Sequence, residues 1–198
     1  RRAIRGVATD EAAGWQLVMT DLPGVQRPRD ALTERMQRRV EREIADSDAV
    51  LFVVNAEQGV GPGDRFISKA LLNVNVSTPV VCAVNKIDRL NNAETAAVLA
   101  ATAELEGVDE IFPVSARKGS GLESLAARLA ELVPEGPFLY APEQRSDLPS
   151  EVQLAELIRE QVLRRIREEL PHAVEVEVTE VGHREDGLVE VHAQIWAE

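Results

Sequence analysis

Four consecutive residues, Asn85-Lys86-Ile87-Asp88, carry the strongest chemical signal in the sequence. They follow directly on the apolar run Val80–Val84 and precede a polar stretch. A carboxylate at Asp88 can accept two N–H groups from the edge of a guanine base, which adenine cannot supply, and such a bidentate contact discriminates by about 1–3 kcal/mol. The stem of Lys86 can lie along the base, and Asn85 can connect neighbouring loops. The pattern predicts a guanine-reading loop, and the alternative is a solvated turn in which Asp88 caps a helix.

A second pattern, Asp21-Leu22-Pro23-Gly24, has the Asp-x-x-Gly spacing of loops that meet Mg²⁺ and the terminal phosphate of a nucleotide. We expect Asp21 to hold the metal through water, because Mg²⁺ keeps much of its hydration shell. Gly24 is expected to offer its backbone N–H to the γ-phosphate, where no side chain can intrude. The alternative is an ordinary Pro-Gly turn.

The third pattern is Ser115-Ala116-Arg117, in which the backbone N–H of Ala116 is predicted to reach the guanine O6. By itself this tripeptide says little. The order of the three patterns along the chain, each at the end of its own predicted strand, is what indicates a GTPase.

Alternating strands and helices are predicted to position these loops. Nearly continuous apolar runs are typical of strands that are buried on both faces of a parallel sheet, whereas four-residue apolar spacing indicates helices. The predicted strands are Trp15–Thr20, Ala49–Val54, Val80–Val84 and Ile111–Val114, and the predicted helices are Ala31–Ala45, Asp64–Leu72, Ala93–Leu105 and Leu122–Leu132. This order specifies an α/β fold, an open sheet with helices on both faces, and ligands bind at the carboxyl ends of its strands.

A proline-rich stretch divides the chain. Four of the ten prolines fall at positions 134–149, so we predict a first domain over 1–136, a linker over 137–150 and a second module over 151–198. The second module begins with a helix predicted over Glu151–Leu170. Inward valines at 174, 176 and 178 then alternate with polar residues as in a strand, and a turn at Gly182–Gly187 precedes a strand over Leu188–Trp196. These elements describe the start of a small α+β domain.

Composition narrows the functional classes. The formal charge of −12 argues against binding nucleic acid through bulk electrostatics, and no apolar run approaches the ~20 residues that span a bilayer. The protein is expected to be cytosolic, and the missing initiator Met suggests that the chain begins within a longer protein. Cys82 lies in an apolar run and is predicted to pack as a small hydrophobe. The three histidines lack zinc-ligand spacing.

On these motifs the chain resembles the Era family of bacterial ribosome-assembly GTPases, and the similarity extends over nearly all of it. Beyond the three loops it includes Arg1–Thr9, which is similar to the stretch after the switch I threonine, and Pro134-Glu135-Gly136-Pro137 with Tyr140. It also includes Ile158-Arg159-Glu160-Gln161 through Glu169–Val174, which resembles the entry to the family's KH domain.

The resemblance implies GTP or GDP with Mg²⁺ as ligands and slow GTP hydrolysis. It also implies 16S rRNA and the small ribosomal subunit as partners, a monomer, and possible peripheral association with the inner face of the cell membrane. Asp21 and Gly24 would belong to switch II, and the apolar Val25 would occupy the position at which Ras-like enzymes keep a water-orienting glutamine. Gln26 follows one residue late and is interpreted as a surface residue, so no catalytic residue is assigned.

The sequence departs from the family pattern in three places. Leu22 replaces a threonine, no Gly-x-x-x-x-Gly-Lys-Ser/Thr loop occurs, and no Gly-x-x-Gly loop for clamping RNA occurs. The 198 residues alone are therefore expected to be inactive and to bind RNA poorly. Two other hypotheses stay open: a non-catalytic binding module, which is a GTPase remnant without phosphate binding, and an assembly GTPase of the double-G-domain type.

Overall fold

A computed structural model describes residues 4–22, 40–74, 78–165, 174–184 and 187–197. The chain divides into two compact units. The first contains residues 7–144, and the second contains residues 4–6 together with residues 145–198. A three-stranded sheet lies in the first unit, and an antiparallel hairpin lies in the second.

A three-stranded parallel sheet forms the centre of the first unit. Its strands are β3 (Val50–Asn55), β4 (Val80–Asn85) and β5 (Glu110–Val114), in the spatial order β3-β4-β5. The register places Asn85 beside both Asn55 and Val114, so the three carboxyl ends meet at one edge. Three helices of this unit are described over their full length, namely α1 (Pro62–Val74), α2 (Asn92–Ala103) and α3 (Leu122–Leu132). The predicted α/β class is confirmed.

Two apolar clusters cover the two faces of this sheet. One contains Val54, Cys82 and Val84 with Leu71 of α1, and the other contains Val81 and Ala83 with Leu125 and Leu129 of α3. Because alternate residues of β4 point to opposite clusters, the whole strand is sealed from water except its last residue, Asn85. The apolar run in the sequence therefore reports burial on both faces.

Cys82 is completely buried and makes no disulfide, as predicted from its apolar surroundings. Burial is the main cause that raises the pKa of its thiol to about 12, with a smaller contribution from the charge of Asp64. At neutral pH the side chain is therefore a neutral, packed group.

A strand that the sequence did not predict precedes β2 (Trp15–Asp21). This strand, β1 (Ile4–Asp10), pairs with β2 in a separate two-stranded sheet, whose turn is closed by a bond from Gly14 N to Asp10 O of 2.8 Å. Arg5, Gly6 and Asp10 interrupt the apolar pattern of β1, which is why periodicity did not reveal it. The prediction that β2 shares one open sheet with β3, β4 and β5 was therefore wrong, because β2 takes its backbone partner from β1.

Helix boundaries agree with the sequence where the chain is described. Residues 40–45 are helical and bury Val40 and Ile44, whereas the rest of the predicted helix Ala31–Ala45 lies outside the described residues. Helix α2 begins with a capping box, in which Asn91 accepts from the backbone of Glu94 and Glu94 accepts from the backbone of Asn91. The helix cap is thus at Asn91 and not at Asp88.

The second unit consists of helix α4 (Ser150–Arg165) and an antiparallel hairpin of β6 (Val174–His183) and β7 (Val189–Ala197). Val174 is buried and Glu175 and Glu177 are exposed, which confirms the predicted alternation. Strand β6 continues to His183, so the predicted turn begins later than Gly182 because the backbone pairing with β7 persists through Gly182↔Glu190. The part of the predicted helix at 166–170 lies outside the described residues.

Residues 133–149, all of them described, contain no helix or strand apart from an isolated bridge between Ser146 and Gly6. In the described parts of the chain, no helix is long and apolar enough to cross a membrane.

Candidate guanine-nucleotide site

The predicted guanine-reading loop and the predicted Ser-Ala-Arg loop lie side by side. Asn85 is the last residue of β4 and pairs with Val114, the last residue of β5, so Ser115 follows at the same edge. The strands are fixed by their buried side chains, and the first polar residues after them are therefore held in place by the core. The sheet brings together two loops that are far apart in the sequence.

Asn85 connects these loops directly. Its Oδ1 accepts from the backbone N–H of Ala116 at 3.0 Å and from that of Lys86 at 2.8 Å. This confirms the expected connecting role of Asn85. In the structure the N–H of Ala116 is donated to Asn85, so its contact with the guanine O6 stays a prediction that requires this bond to be exchanged or shared.

Lys86 adopts a left-handed backbone with φ of 73°, the only non-glycine residue with positive φ among those that the structure describes. Such a conformation is costly for a residue with a side chain and often marks a functional position. It turns the chain from β4 into a single 3-10 turn over Ile87–Arg89, while the Lys86 side chain stays exposed.

The carboxylate of Asp88 is held by Ser115. The Ser115 hydroxyl donates to Asp88 Oδ1 at 2.7 Å and accepts from the backbone N–H of Lys118 at 3.1 Å. Ser115 is almost fully buried, at 1% exposure, so it is a fixed donor on which the more exposed carboxylate is oriented.

This bond also stabilises the ionised form of the Asp88 carboxyl group. The hydrogen bond from Ser115 is the largest cause that lowers the pKa of Asp88 below its ordinary value of 3.8, and desolvation offsets it in part. Asp88 is therefore an anion at neutral pH. Each carboxylate oxygen can accept more than one hydrogen bond, so the group can take two N–H donors while it keeps Ser115.

The loop after Ser115 is a tight turn that returns to its own start. Ser115 N donates to Ser120 O at 2.9 Å, and Gly119 N donates to Ser115 O at 2.8 Å. The turn ends at Gly121, which has a left-handed backbone with φ of 75° and is the N-cap residue of helix α3. Arg117, the third residue of the predicted motif, is exposed on this turn.

The predicted phosphate-side residues are described only in part. Asp21 is the exposed last residue of β2, and the partly buried Leu22 packs against the core cluster that contains Val54 and Val84. Leucine at this position thus adds apolar packing where a threonine would not. Pro23, Gly24, Val25 and Gln26 lie outside the described residues, so their roles remain predictions.

Sequence reasoning missed the role of Ser115, which is to orient Asp88 across 27 residues of chain. It also missed that the backbone N–H of Lys118 donates to the Ser115 hydroxyl and that Gly121 is the N-cap residue of helix α3. The Gly-Ser-Gly segment at 119–121 is a turn signal from which a tight turn could have been predicted, but only the register of β4 and β5 shows that this turn borders Asp88.

The chain is similar in sequence to known GTP-binding proteins. A family model, the Elongation factor Tu GTP binding domain, matches residues 34–135. GTPase Era of Mycolicibacterium smegmatis is 39% identical over 201 residues, covering 100% of this chain and 67% of that protein. GTPase Era of Corynebacterium glutamicum is 38% identical, covering 100% of this chain and 65% of that protein.

Solved structures give the same result. A crystal structure of Era in complex with MgGDPNP and nucleotides 1506–1542 of 16S ribosomal RNA superposes with a TM-score of 0.77 at 28% identity, covering 98% of this chain and 66% of that one. An Aquifex aeolicus Era variant bound to GDP and AlF4⁻ has the same TM-score of 0.77. The chain spans about two thirds of the length of these relatives. The match of a GTP-binding domain to half of the chain, and of GTPase Era to all of it, shows that the chain belongs to the Era family of GTPases.

Proposed function

We propose that the protein binds GTP and GDP with Mg²⁺, hydrolyses GTP slowly and acts as a nucleotide-dependent switch in assembly of the small ribosomal subunit through 16S rRNA. The observation that carries the proposal is the ionised Asp88, held by buried Ser115 where two strands end. The relatives that match the whole chain are named GTPase Era, and a solved Era structure contains both MgGDPNP and 16S rRNA.

Guanine selection is assigned to the β4 and β5 loops. Asp88 accepts the two N–H groups of the base, Lys86 lies along its plane, and Asn85 keeps the two loops together. The left-handed turn at Lys86 and the bond from Ser115 both restrain the carboxylate before the base arrives. Preorganisation of this kind reduces the entropy that binding must otherwise remove.

The phosphate side is assigned to Asp21 and to the loop that follows it. No group of three or more His, Cys, Asp or Glu residues able to hold a metal occurs in the described part of the chain. A single carboxylate at a strand end suits Mg²⁺, which takes its other ligands from water and phosphate oxygens. When bound, Mg²⁺ neutralises charge on the phosphates, and Asp21 would orient its water shell.

RNA binding is assigned to the second unit, which we propose to be part of a KH-type module. Support comes from its helix and antiparallel hairpin and from the rRNA present in the solved Era complex. The hairpin face with Glu175, Glu177 and Glu190 is exposed and acidic, so we place the RNA contact away from that face. Cytoplasmic location, peripheral membrane association and a monomeric state remain predictions of the resemblance.

Asp88→Asn in the full-length protein tests the guanine assignment. Replacing one acceptor oxygen by an N–H donor should weaken GTP binding by about 10⁴-fold and favour xanthosine triphosphate, whose ring presents an acceptor at the corresponding edge. Competition binding of the two nucleotides measures this. Asp48→Asn is the matched control, because Asp48 is exposed just before β3, at the opposite end of the sheet.

Unchanged preference for GTP in Asp88→Asn would reject the assignment. Absence of both binding and hydrolysis in the unmodified full-length protein would instead favour the remnant without phosphate binding.

A further inference from the structure

The side chain of Gln16, near the start of β2, holds a segment that lies more than a hundred residues away in the sequence. Its Nε2 donates to the carbonyl of Tyr140 at 2.9 Å, and its Oε1 accepts from Leu139 N at 2.9 Å and from Tyr140 N at 3.0 Å. The second N–H of Nε2 goes to Thr9 Oγ1 of β1 at 2.9 Å. Every donor and both acceptor positions of this amide are used.

The Gln16 amide makes the backbone hydrogen bonds that a neighbouring strand would otherwise make to residues 139–140. Residues 139–140 belong to no helix or strand, yet both backbone polar groups of Tyr140 are satisfied by one side chain on the β1–β2 hairpin. Because the amide also bonds to Thr9, it cannot shift relative to the hairpin without losing several bonds at once. We call the four bonds of Gln16 the Gln16 tether.

A second attachment involves the other end of the hairpin. Arg5 of β1 donates its backbone N–H to Asp147 Oδ1 at 3.1 Å and accepts at its carbonyl from Ser146 Oγ at 3.0 Å. The backbone N–H of Asp147 also donates to the Arg5 carbonyl at 3.3 Å. The Gln16 tether lies within the first unit, and this second attachment lies within the second unit, which includes residues 4–6.

Strand β2 connects the Gln16 tether to the proposed phosphate side. Asp21 is five positions after Gln16, a distance of about 17 Å along a strand. A paired strand transmits a shift along its length, because its backbone bonds fix its register. A displacement at Asp21 would therefore reach the amide of Gln16.

We propose that Gln16 is a positioning residue that couples the nucleotide state at Asp21 to the segment leading into the second unit. The protein would alternate between two conformations, one with the Gln16 tether formed and one with it broken. This inference rests on the proposed function, since it requires a guanine nucleotide whose phosphates are sensed at Asp21. In this proposal a single side chain, that of Gln16, transmits the change at Asp21 to residues 139–140. The three nucleotide-binding motifs gave no indication of such a role for Gln16.

Gln16→Met in the full-length protein tests the coupling, because methionine has a similar length and cannot make any of the four bonds. Hydrogen exchange at the amides of Leu139 and Tyr140 is measured with GDP and with GDPNP. In the unmodified protein the two states should differ by about tenfold in exchange rate, and in Gln16→Met the difference should fall below about twofold.

Linkage supplies a second measurement that a merely structural role would not change. If nucleotide state controls the tether, loss of the tether must change the ratio of GDP to GDPNP affinities, by about fivefold for a typical coupling. Gln194→Met is the matched control, since Gln194 is exposed on β7 of the second unit and should leave the ratio unchanged.

Equal exchange in both nucleotide states of the unmodified protein, or an unchanged affinity ratio in Gln16→Met, would overturn the coupling while the guanine assignment stands. Failure of the unmodified protein to bind GDP or GDPNP would overturn the proposed function itself, so the two failures are distinguishable.

Discussion

Strands β4 and β7 are both mostly apolar in sequence, but their surroundings in the fold are opposite. Five of the six residues of β4 are buried, whereas eight of the nine residues of β7 are exposed and only Val191 is partly covered. Both strands are rich in valine and alanine. Apolar composition thus favours strand formation in both segments. Whether a strand can hold the residues of a binding site in fixed positions depends on the layers that pack on its two faces.

The packing partners explain the contrast. Strand β4 is the central strand of its sheet and has an apolar cluster on each face. In the second unit α4 packs mainly on β6, and a groove of about 370 Å³ stays open between the apolar side of α4 and Val191 of β7. The loops after β4 and β5 therefore inherit a fixed backbone, and β7 does not supply a comparable support.

Substitutions at two glycines should produce the largest difference in stability between the two regions. Gly121 and Gly187 have similar φ values, of 75° and 81°, but a Cβ on Gly121 would lie 2.4 Å from the carbonyl oxygen of Pro113, whereas nothing lies within 4 Å at Gly187. Gly121→Ala should lower the free energy of unfolding of the first unit by at least about 3 kcal/mol, from backbone strain and overpacking together. Gly187→Ala should cost the second unit only about 1–2 kcal/mol, from the backbone alone.

The two tryptophans allow the units to be followed separately, because Trp15 is in β2 and Trp196 is in β7. Denaturant unfolding is recorded by fluorescence in Trp196→Phe and Trp15→Phe backgrounds. Equal losses at the two glycines would show that the close approach at Gly121 has no energetic weight.

Matched valine truncations give the next largest effect. Val84 of β4 is 0% exposed and Val189 of β7 is 53% exposed. Val84→Ala removes two buried methyl groups and leaves a cavity, so it should cost about 2 kcal/mol. Val189→Ala should cost at most about 0.5 kcal/mol, because water already contacts the side chain. The same tryptophan backgrounds measure both, and a cost at Val189 as large as that at Val84 would contradict the exposed state of β7.

Ser115→Ala gives the smallest expected effect and tests the site on β4 and β5. Removing the hydroxyl should return the pKa of Asp88 toward its ordinary value of 3.8. Because the folded-state pKa is lowered, the bond stabilises the fold above the ordinary pKa, and this contribution is lost as pH falls through the folded-state value. Stability of the variant should therefore vary less with pH in that acidic window.

Carbon NMR titration of the Asp88 carboxyl measures this change. Ser120→Ala is the control, because Ser120 lies in the same turn and bonds to Ser115 through its backbone carbonyl. An unchanged Asp88 titration in Ser115→Ala would show that the bond from Ser115 does not lower the pKa of Asp88.

Secondary structure was predicted correctly where the residue pattern of a single segment indicates which of its side chains are buried. Continuous apolar runs gave β3, β4 and β5, and alternation gave β6, because burial on one or two faces is written directly in the residue pattern. The same reasoning missed β1, in which a glycine and charged residues mask the pattern, and placed the end of β6 too early, because pairing with β7 continued past Gly182.

Apolar periodicity and motif spacing are local properties, so the order of strands and helices and the three loops at strand ends could be predicted from the residues alone. Which polar groups meet depends on the tertiary structure. The bonds of Asp88 with Ser115, Asn85 with Ala116 and Gln16 with Tyr140 join residues 27, 31 and 124 positions apart. Such pairs depend on strand register and on the path of the linker, which follow from packing the whole unit and which no short segment encodes.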